Sequence, residues 1–257
     1  MENAVTDATL TDETSTGATP STSEPILVAI DGPAGSGKSS VSRAAAEQLG
    51  FGILDTGAAY RALAWACREA AVDLDSEDAV SAMLDGWAYA ITLRGEQRVQ
   101  VTLPGGTEAF DVSAVIRTPE ISGQVSRVSK HAAVRVRLNN MFRDIVAASG
   151  LPGVVIEGRD ITTVVAPDAP VRILMTASPE VRAARRAGEL DGESLEQVLA
   201  DITARDAKDA AVVDFLNPAA GVTLIDTSDM NFGQSIQAVI DTVDKARGAG
   251  PSNDKER

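Results

Sequence analysis

Residues 26 to 39 read ILVAIDGPAGSGKS, and no other stretch limits the fold so tightly. Ile26 to Ile30 form a continuous apolar run, the pattern of a strand buried on both faces. It passes into Gly32-x-x-x-x-Gly37-Lys38-Ser39, and a helical pattern follows through Leu49. Strand, glycine-rich loop and helix in that order make the setting a phosphate-binding loop requires. The glycines let successive backbone N–H groups turn toward one phosphate, and the helix aims its positive dipole end at the same point. Lys38 supplies a mobile charge for β- and γ-oxygens, and the Ser39 hydroxyl suits a place on Mg²⁺. The run Gly32, Pro33, Ala34, Gly35, Ser36, Gly37, Lys38, Ser39 and Ser40 is therefore the expected cradle for a nucleoside triphosphate.

Composition narrows the partners. The chain has 257 residues, 44% of them apolar, enough for a sizeable core. Only 4% are aromatic, so packing must lean on Ala, Val, Leu and Ile. A formal charge of −14 argues against a nucleic-acid binder, which needs a basic face. It leaves room for a mononucleotide, whose few phosphates need only local arginines. The single cysteine, Cys67, excludes a disulfide framework and a cysteine-based zinc site, and it reads as a packed thiol. His131, the only histidine, lies in a polar break and reads as a solvated surface residue. No membrane span or export signal is visible, so a cytoplasmic location is expected. Residues 1–24 lack Lys and Arg and, like residues 249–257, read as disordered tails around a domain over 25–248.

Strand and helix patterns alternate along that domain: strands at 51–55, 153–156, 171–175 and 222–225, helices at 58–71, 119–129, 132–148, 179–187, 195–207 and 234–246. This predicts an α/β fold of three layers, a parallel central sheet between helices. Tyr89 to Asp111 breaks the pattern. Its period-two alternation and its turns at Gly95 and Gly105-Gly106 predict an antiparallel β insertion, about 88–112.

Ligands in open parallel sheets bind beyond the carboxyl ends of the strands. Two polar constellations sit at such ends: Asp55-Thr56-Gly57-Ala58-Ala59-Tyr60-Arg61 and Glu157-Gly158-Arg159-Asp160. A third group, Arg182, Arg185 and Arg186, is helically spaced, with Arg205-Asp206 one helix later; alone, it would read as a solvated helix face. Together they suggest transfer between two phosphates, which is mostly positioning and charge neutralisation. An acceptor phosphate is already ionised at neutral pH and needs no base. A hydroxyl acceptor would need a carboxylate, for which Asp55 or Asp160 could serve.

These motifs resemble those of the bacterial cytidylate kinases, the CMP/dCMP kinases of the nucleoside monophosphate kinase superfamily. The resemblance spans about Ile26 to Asp244 through IDGPAGSGKSS, DTGAAYR, Ile116-Arg117-Thr118, EGRD and the segment 166–174, APDAPVRIL. It implies ATP as co-substrate with Mg²⁺, CMP or dCMP as acceptor, and a monomer that engages neither nucleic acid nor membrane. It places the catalytic charges on Lys38, Arg61, Arg159, Arg182, Arg186 and Arg205. It assigns Thr56 and Arg61 to the acceptor nucleotide, Arg159 and Arg205 to phosphate, and Ser126, Arg135 and Asp160 to cytosine. It further implies an acceptor-binding region about 56–150 and a lid about 182–211 that closes over ATP. In the family's R-D-x-x-D-x-x-R run, Arg205, Asp206 and Asp209 are present, with Asp209 on the acceptor side, but Val212 replaces the last arginine. That departure bears on sugar recognition. Rival readings are a small P-loop kinase acting on UMP, AMP or a metabolite hydroxyl, and a non-catalytic nucleotide-binding regulator. A GTPase switch fits poorly, because no N-K-x-D motif is present.

Overall fold

The structure, a computed structural model, describes residues 25–188, 194–210, 214 and 216–248, with backbone alone at Arg205 and Asp209. The expected tails, Val212 and part of the expected lid lie outside the described residues. The chain runs through β1 (Ile26–Asp31), α1 (Lys38–Leu49), β2 (Gly52–Asp55), α2 (Thr56–Glu69) and α3 (Glu77–Met83). Short strands β3 (Ala88–Ile91), β4 (Val99–Thr102) and β5 (Ala109–Asp111) follow, then α4 (Pro119–Ser122), α5 (Val125–Ser129) and α6 (Ala132–Ala147). It returns through β6 (Gly153–Gly158), one wide helical turn at Ile161–Val165, and β7 (Val171–Thr176). Helices α7 (Pro179–Ala187) and α8 (Leu195–Ala210), strand β8 (Thr223–Asp226) and helix α9 (Phe232–Gly248) complete it.

Five strands form one parallel sheet in the order β2-β6-β1-β7-β8. β1 is central, and alternate residues along it enter two different apolar layers, as a period of two requires. Val28 and Ile30 pack with Val41 and Ala45 of α1 and with Val239 and Val243 of α9. Ala29 belongs to the opposite layer, with Leu54, Ile156 and helix α2. That helix buries Ala58, Ala59, Ala62 and Ala66 completely, which suits close approach to its neighbours. The expected three-layer α/β fold is therefore present.

Topology also fixes where a ligand can enter. After β1 the chain moves to β2, and β6 later fills the gap between them. From β6 the chain then crosses to β7 on the far side of β1. Connections leave neighbouring β1 and β6 in opposite directions, so a crevice opens at their carboxyl ends.

The β insertion is the small antiparallel sheet β3-β4-β5. Val99 and Val101 point inward and are buried, while Gln100 between them is exposed. Trp87 stacks on Tyr89 at 5.5 Å, and Phe110 meets Trp65 at 5.9 Å.

Three local features differ from the sequence expectation. The helix expected over 119–129 is two short helices, α4 and α5, with α4 capped by Gly123. Helix α3 is additional; Ser76 caps it by accepting from Ala79 N at 3.3 Å, with Glu77 and Asp78 in its first turn. His131 is 6% exposed rather than solvated, because its Nε2 lies 2.8 Å from the Leu74 carbonyl oxygen and ties α6 to the loop before α3. Cys67 is fully buried, as expected, and burial pushes its thiol up to about 11. No helix among the described residues is long and apolar enough to cross a membrane.

Candidate active site

The loop after β1 turns on glycines at the positions that need them. Gly35 (φ 76°) and Gly37 (φ 84°) are left-handed, a conformation that favours glycine. At Gly32 the loop passes so close to β7 that a Cβ would lie 2.1 Å from the Met175 carbonyl oxygen. Gly37 begins α1 without a side-chain cap, which leaves the first-turn N–H groups for a ligand. The Ser36 hydroxyl, in the same loop, is buried with no partner.

Lys38 Nζ lies 2.9 Å from Glu157 Oε2, an ion pair at the ends of the phosphate loop and β6. Glu157 is 3% exposed, and its carbonyl oxygen accepts from the Thr56 hydroxyl at 2.8 Å. Thr56, an expected nucleotide contact, therefore stands at the cleft wall with its hydroxyl on backbone.

Asp55 serves two partners. One carboxylate oxygen accepts from Ala58 N at 3.0 Å and so caps α2, and the other accepts from Arg61 Nη2 at 2.8 Å. Burial pushes the Asp55 pKa up, but the charges of Arg61 and Lys38 and the Ala58 N–H together hold it below the ordinary value. Arg61 Nε and the Tyr89 hydroxyl, delivered by β3, are buried without partners. Across the crevice, Arg159 Nη1 donates to the Gly32 carbonyl oxygen, and Asp160 Oδ2 pairs with Arg135 Nη2 at 2.6 Å.

The arginines of α7 divide. Arg182 is 6% exposed and lies away from the cleft lining. Its guanidinium donates to the carbonyl oxygens of Ala177 at 3.1 Å and Ala34 at 2.9 Å, and to Asp206 Oδ2 at 2.5 Å. Arg185 reaches the Ser36 carbonyl oxygen at 3.2 Å and Thr227 Oγ1 at 2.9 Å. Arg185 and Arg186 both line the cleft.

That cleft has a volume of about 1380 Å³, more than one small ligand fills. Pro33 to Ser40 form one wall, and Thr56, Arg61, Ser126, Arg135, Arg159 and Asp160 meet there from four separate segments. Of the expected residues, Gly32 and Arg182 stand behind the lining, and the side chains of Arg205 and Asp209 lie outside the described residues. Sequence alone gives no role to Asp31, and it places Arg185 and Asp206 only as members of a helically spaced group. Asp31 and Asp206 lie inside motifs whose neighbours draw attention first, and Arg185 shares a helical spacing that a solvated face would also show.

Comparisons with known proteins agree with this geometry. A family model described as cytidylate kinase matches residues 28–245. A cytidylate kinase of Streptomyces avermitilis is 41% identical over 225 residues, which cover 87% of this chain and 95% of that protein. One from Cutibacterium acnes is 43% identical over 225 residues, covering 85% and 96% of the two chains. One from Mycobacterium leprae is 43% identical over 229 residues, covering 87% and 98%. With a phosphate loop and a strand-end arginine cluster facing one cleft, and relatives matched over nearly their whole length, the chain belongs to the cytidylate kinase family.

Proposed function

We propose that the protein moves the γ-phosphoryl group of ATP to CMP or dCMP, giving ADP and the cytidine diphosphate, with each residue in the role described next. The observation that carries this reading is the Arg135–Asp160 pair, 2.6 Å apart and in the same cleft as the phosphate loop. Asp160 can accept from the N4 amino group of cytosine, where uracil offers a carbonyl oxygen instead. Arg135 can donate to N3 and O2, and Ser126 lines the same cleft.

On the donor side, the uncapped N–H groups of α1 and the loop receive the β-phosphate of ATP. Lys38 leaves Glu157 for the phosphate oxygens, to which a flexible ammonium group can swing. On the acceptor side, Arg61 and Arg159 hold the CMP phosphate, whose second pKa of about 6 leaves it ionised at neutral pH. No general base is required. What this chain supplies is alignment of two anions and cancellation of their repulsion. Arg186 lines the cleft and would offset charge on the transferring group, and the family resemblance gives Arg205 and Asp209, in the α8 sequence, to the acceptor side.

Mg²⁺ fits the residues present. Magnesium prefers oxygen ligands and usually takes only one or two from protein, the rest being phosphate and water. Ser39 offers an exposed hydroxyl at the start of α1, and no cluster of three or more metal-binding side chains stands among the described residues. Ser39 would hold the ion, which when bound neutralises charge on the donor phosphates.

A coupled assay of ADP release tests the reading, with ATP and a panel of CMP, dCMP, UMP, AMP and GMP. Turnover with CMP and dCMP well above the others supports it. Equal use of UMP would remove Asp160 from base selection.

A further inference from the structure

We propose that Asp31 is a positioning residue for the acceptor nucleotide: its carboxylate fixes the turn that presents Arg159 and Asp160 to the cleft. This rests on the reading that those two side chains hold CMP.

Asp31 is the last residue of β1 and is 2% exposed. Its carboxylate accepts three hydrogen bonds from the segment after β6. Ile161 N donates to Oδ1 at 2.8 Å, Thr162 N donates to Oδ2 at 2.8 Å, and Thr162 Oγ1 donates to Oδ2 at 2.6 Å. The two N–H groups open the wide turn Ile161–Val165, so the carboxylate caps it as an anion at a helix start.

The span between fixed points is short. Gly158 is held by β1, in register with Asp31 itself, and Ile161 is held by the carboxylate. Only Arg159 and Asp160 lie between. One residue thus pins both ends of the dipeptide that carries the two acceptor-side groups, through its backbone at Gly158 and its carboxylate at Ile161. The next residue, Gly32, is the first of the phosphate loop, and its carbonyl oxygen accepts from Arg159. Donor loop and acceptor turn are referenced to the same point on β1.

Three donors on a buried carboxylate are more than a β-strand end needs. Losing an acceptor oxygen leaves an N–H or hydroxyl buried without a partner, and a site loosened by a fraction of an ångström loses much of its alignment. Asp31→Asn would set its NH₂ against the backbone N–H of Ile161 in one orientation and of Thr162 in the other. The adjacent threonine is a separate handle, since Thr162→Val keeps the volume and deletes one donor.

The experiment is steady-state kinetics on the full chain for Asp31→Asn, Thr162→Val, Thr162→Ser and Asp160→Asn, with CMP, UMP and ATP varied in turn. Asp31→Asn is expected to raise KM for CMP about tenfold or more, from loss of a charge-assisted bond and the alignment it holds. KM for ATP should stay within about threefold, since the phosphate loop keeps its own hydrogen bonds. Thr162→Val should move the same way by less, and Thr162→Ser should recover most of it. A KM for CMP that stays at the wild-type level in Asp31→Asn, or that rises only in step with KM for ATP, overturns the assignment. Should Asp31→Asn fail to fold, the Thr162→Val and Thr162→Ser pair decides by the same two measures. Asp160→Asn separates the two readings. If it spares CMP-over-UMP selectivity while Asp31→Asn still raises KM for CMP, the cytosine role of Asp160 falls and the positioning role stands through Arg159.

Discussion

Arg182 Nη1 and Asp206 Oδ2 lie 2.5 Å apart beneath the phosphate loop, and both side chains also bond the backbone of one loop residue, Ala34. Arg182 donates to its carbonyl oxygen, and Asp206 accepts from its N–H at 3.3 Å. The pair fastens α7 and α8 to the loop from below. Arg182 is thus placed to shape the phosphate site rather than to touch the nucleotide.

Breaking that pair from one side should be costly. Arg182→Met leaves the Asp206 carboxylate buried without its partner, which destabilises by about 3–5 kcal/mol in comparable buried pairs. Urea denaturation of Arg182→Met, Asp206→Leu and the double variant measures it. The double variant should be less destabilised than the sum of the singles; simple additivity would show that the two side chains act separately.

Lys38→Ala should lower kcat by ~10²-fold or more, the effect of removing one preorganised charge at the transferring group. Single-turnover kinetics with ATP and CMP reads the chemical step directly. Activity within a few-fold of wild type would take the loop lysine out of the mechanism.

Asp160→Asn should raise KM for CMP far more than KM for ATP. Asparagine can present either an oxygen or an NH₂ to the base, so discrimination against UMP should narrow as well. Equal damage to both nucleotides would reassign Asp160 to the phosphate apparatus.

The pH dependence of stability should carry the mark of Asp55. Its folded-state pKa lies below the ordinary 3.8, so its ion pair and helix cap add stability above that pH. The contribution is lost as pH falls through the lowered folded value. Arg61→Met removes the largest favourable charge on that carboxylate, so its folded-state titration should move upward; the variant should be less stable at neutral pH and should lose less further stability on acidification. Urea midpoints from neutral pH down to about pH 3, for wild type and Arg61→Met, check the direction.

Much of this arrangement was legible in the residues. The phosphate loop announces itself because its glycines, lysine and serine are consecutive in sequence. Strand ends can be read too, since apolar runs such as Gly153–Ile156 stop where polar residues begin. What could not be read were contacts closed by the fold. Nothing near Asp31 in sequence says that its carboxylate meets Thr162, 131 positions later. Arg182 and Arg186 have the same local pattern, yet only tertiary packing puts one under the loop and the other in the cleft. His131 misled for a related reason: polar neighbours made it look solvated, while the ring turns inward to a distant carbonyl.

The alanines of α2 act as shims. Their lack of bulk sets how far Arg61 stands from the sheet, and so where an incoming anion would come to rest. A methyl at Ala59 or Ala62 exchanged for an isobutyl group would wedge the helix outward and carry the arginine with it. The gauge of this enzyme's crevice is therefore written in those small side chains, none of which lines it.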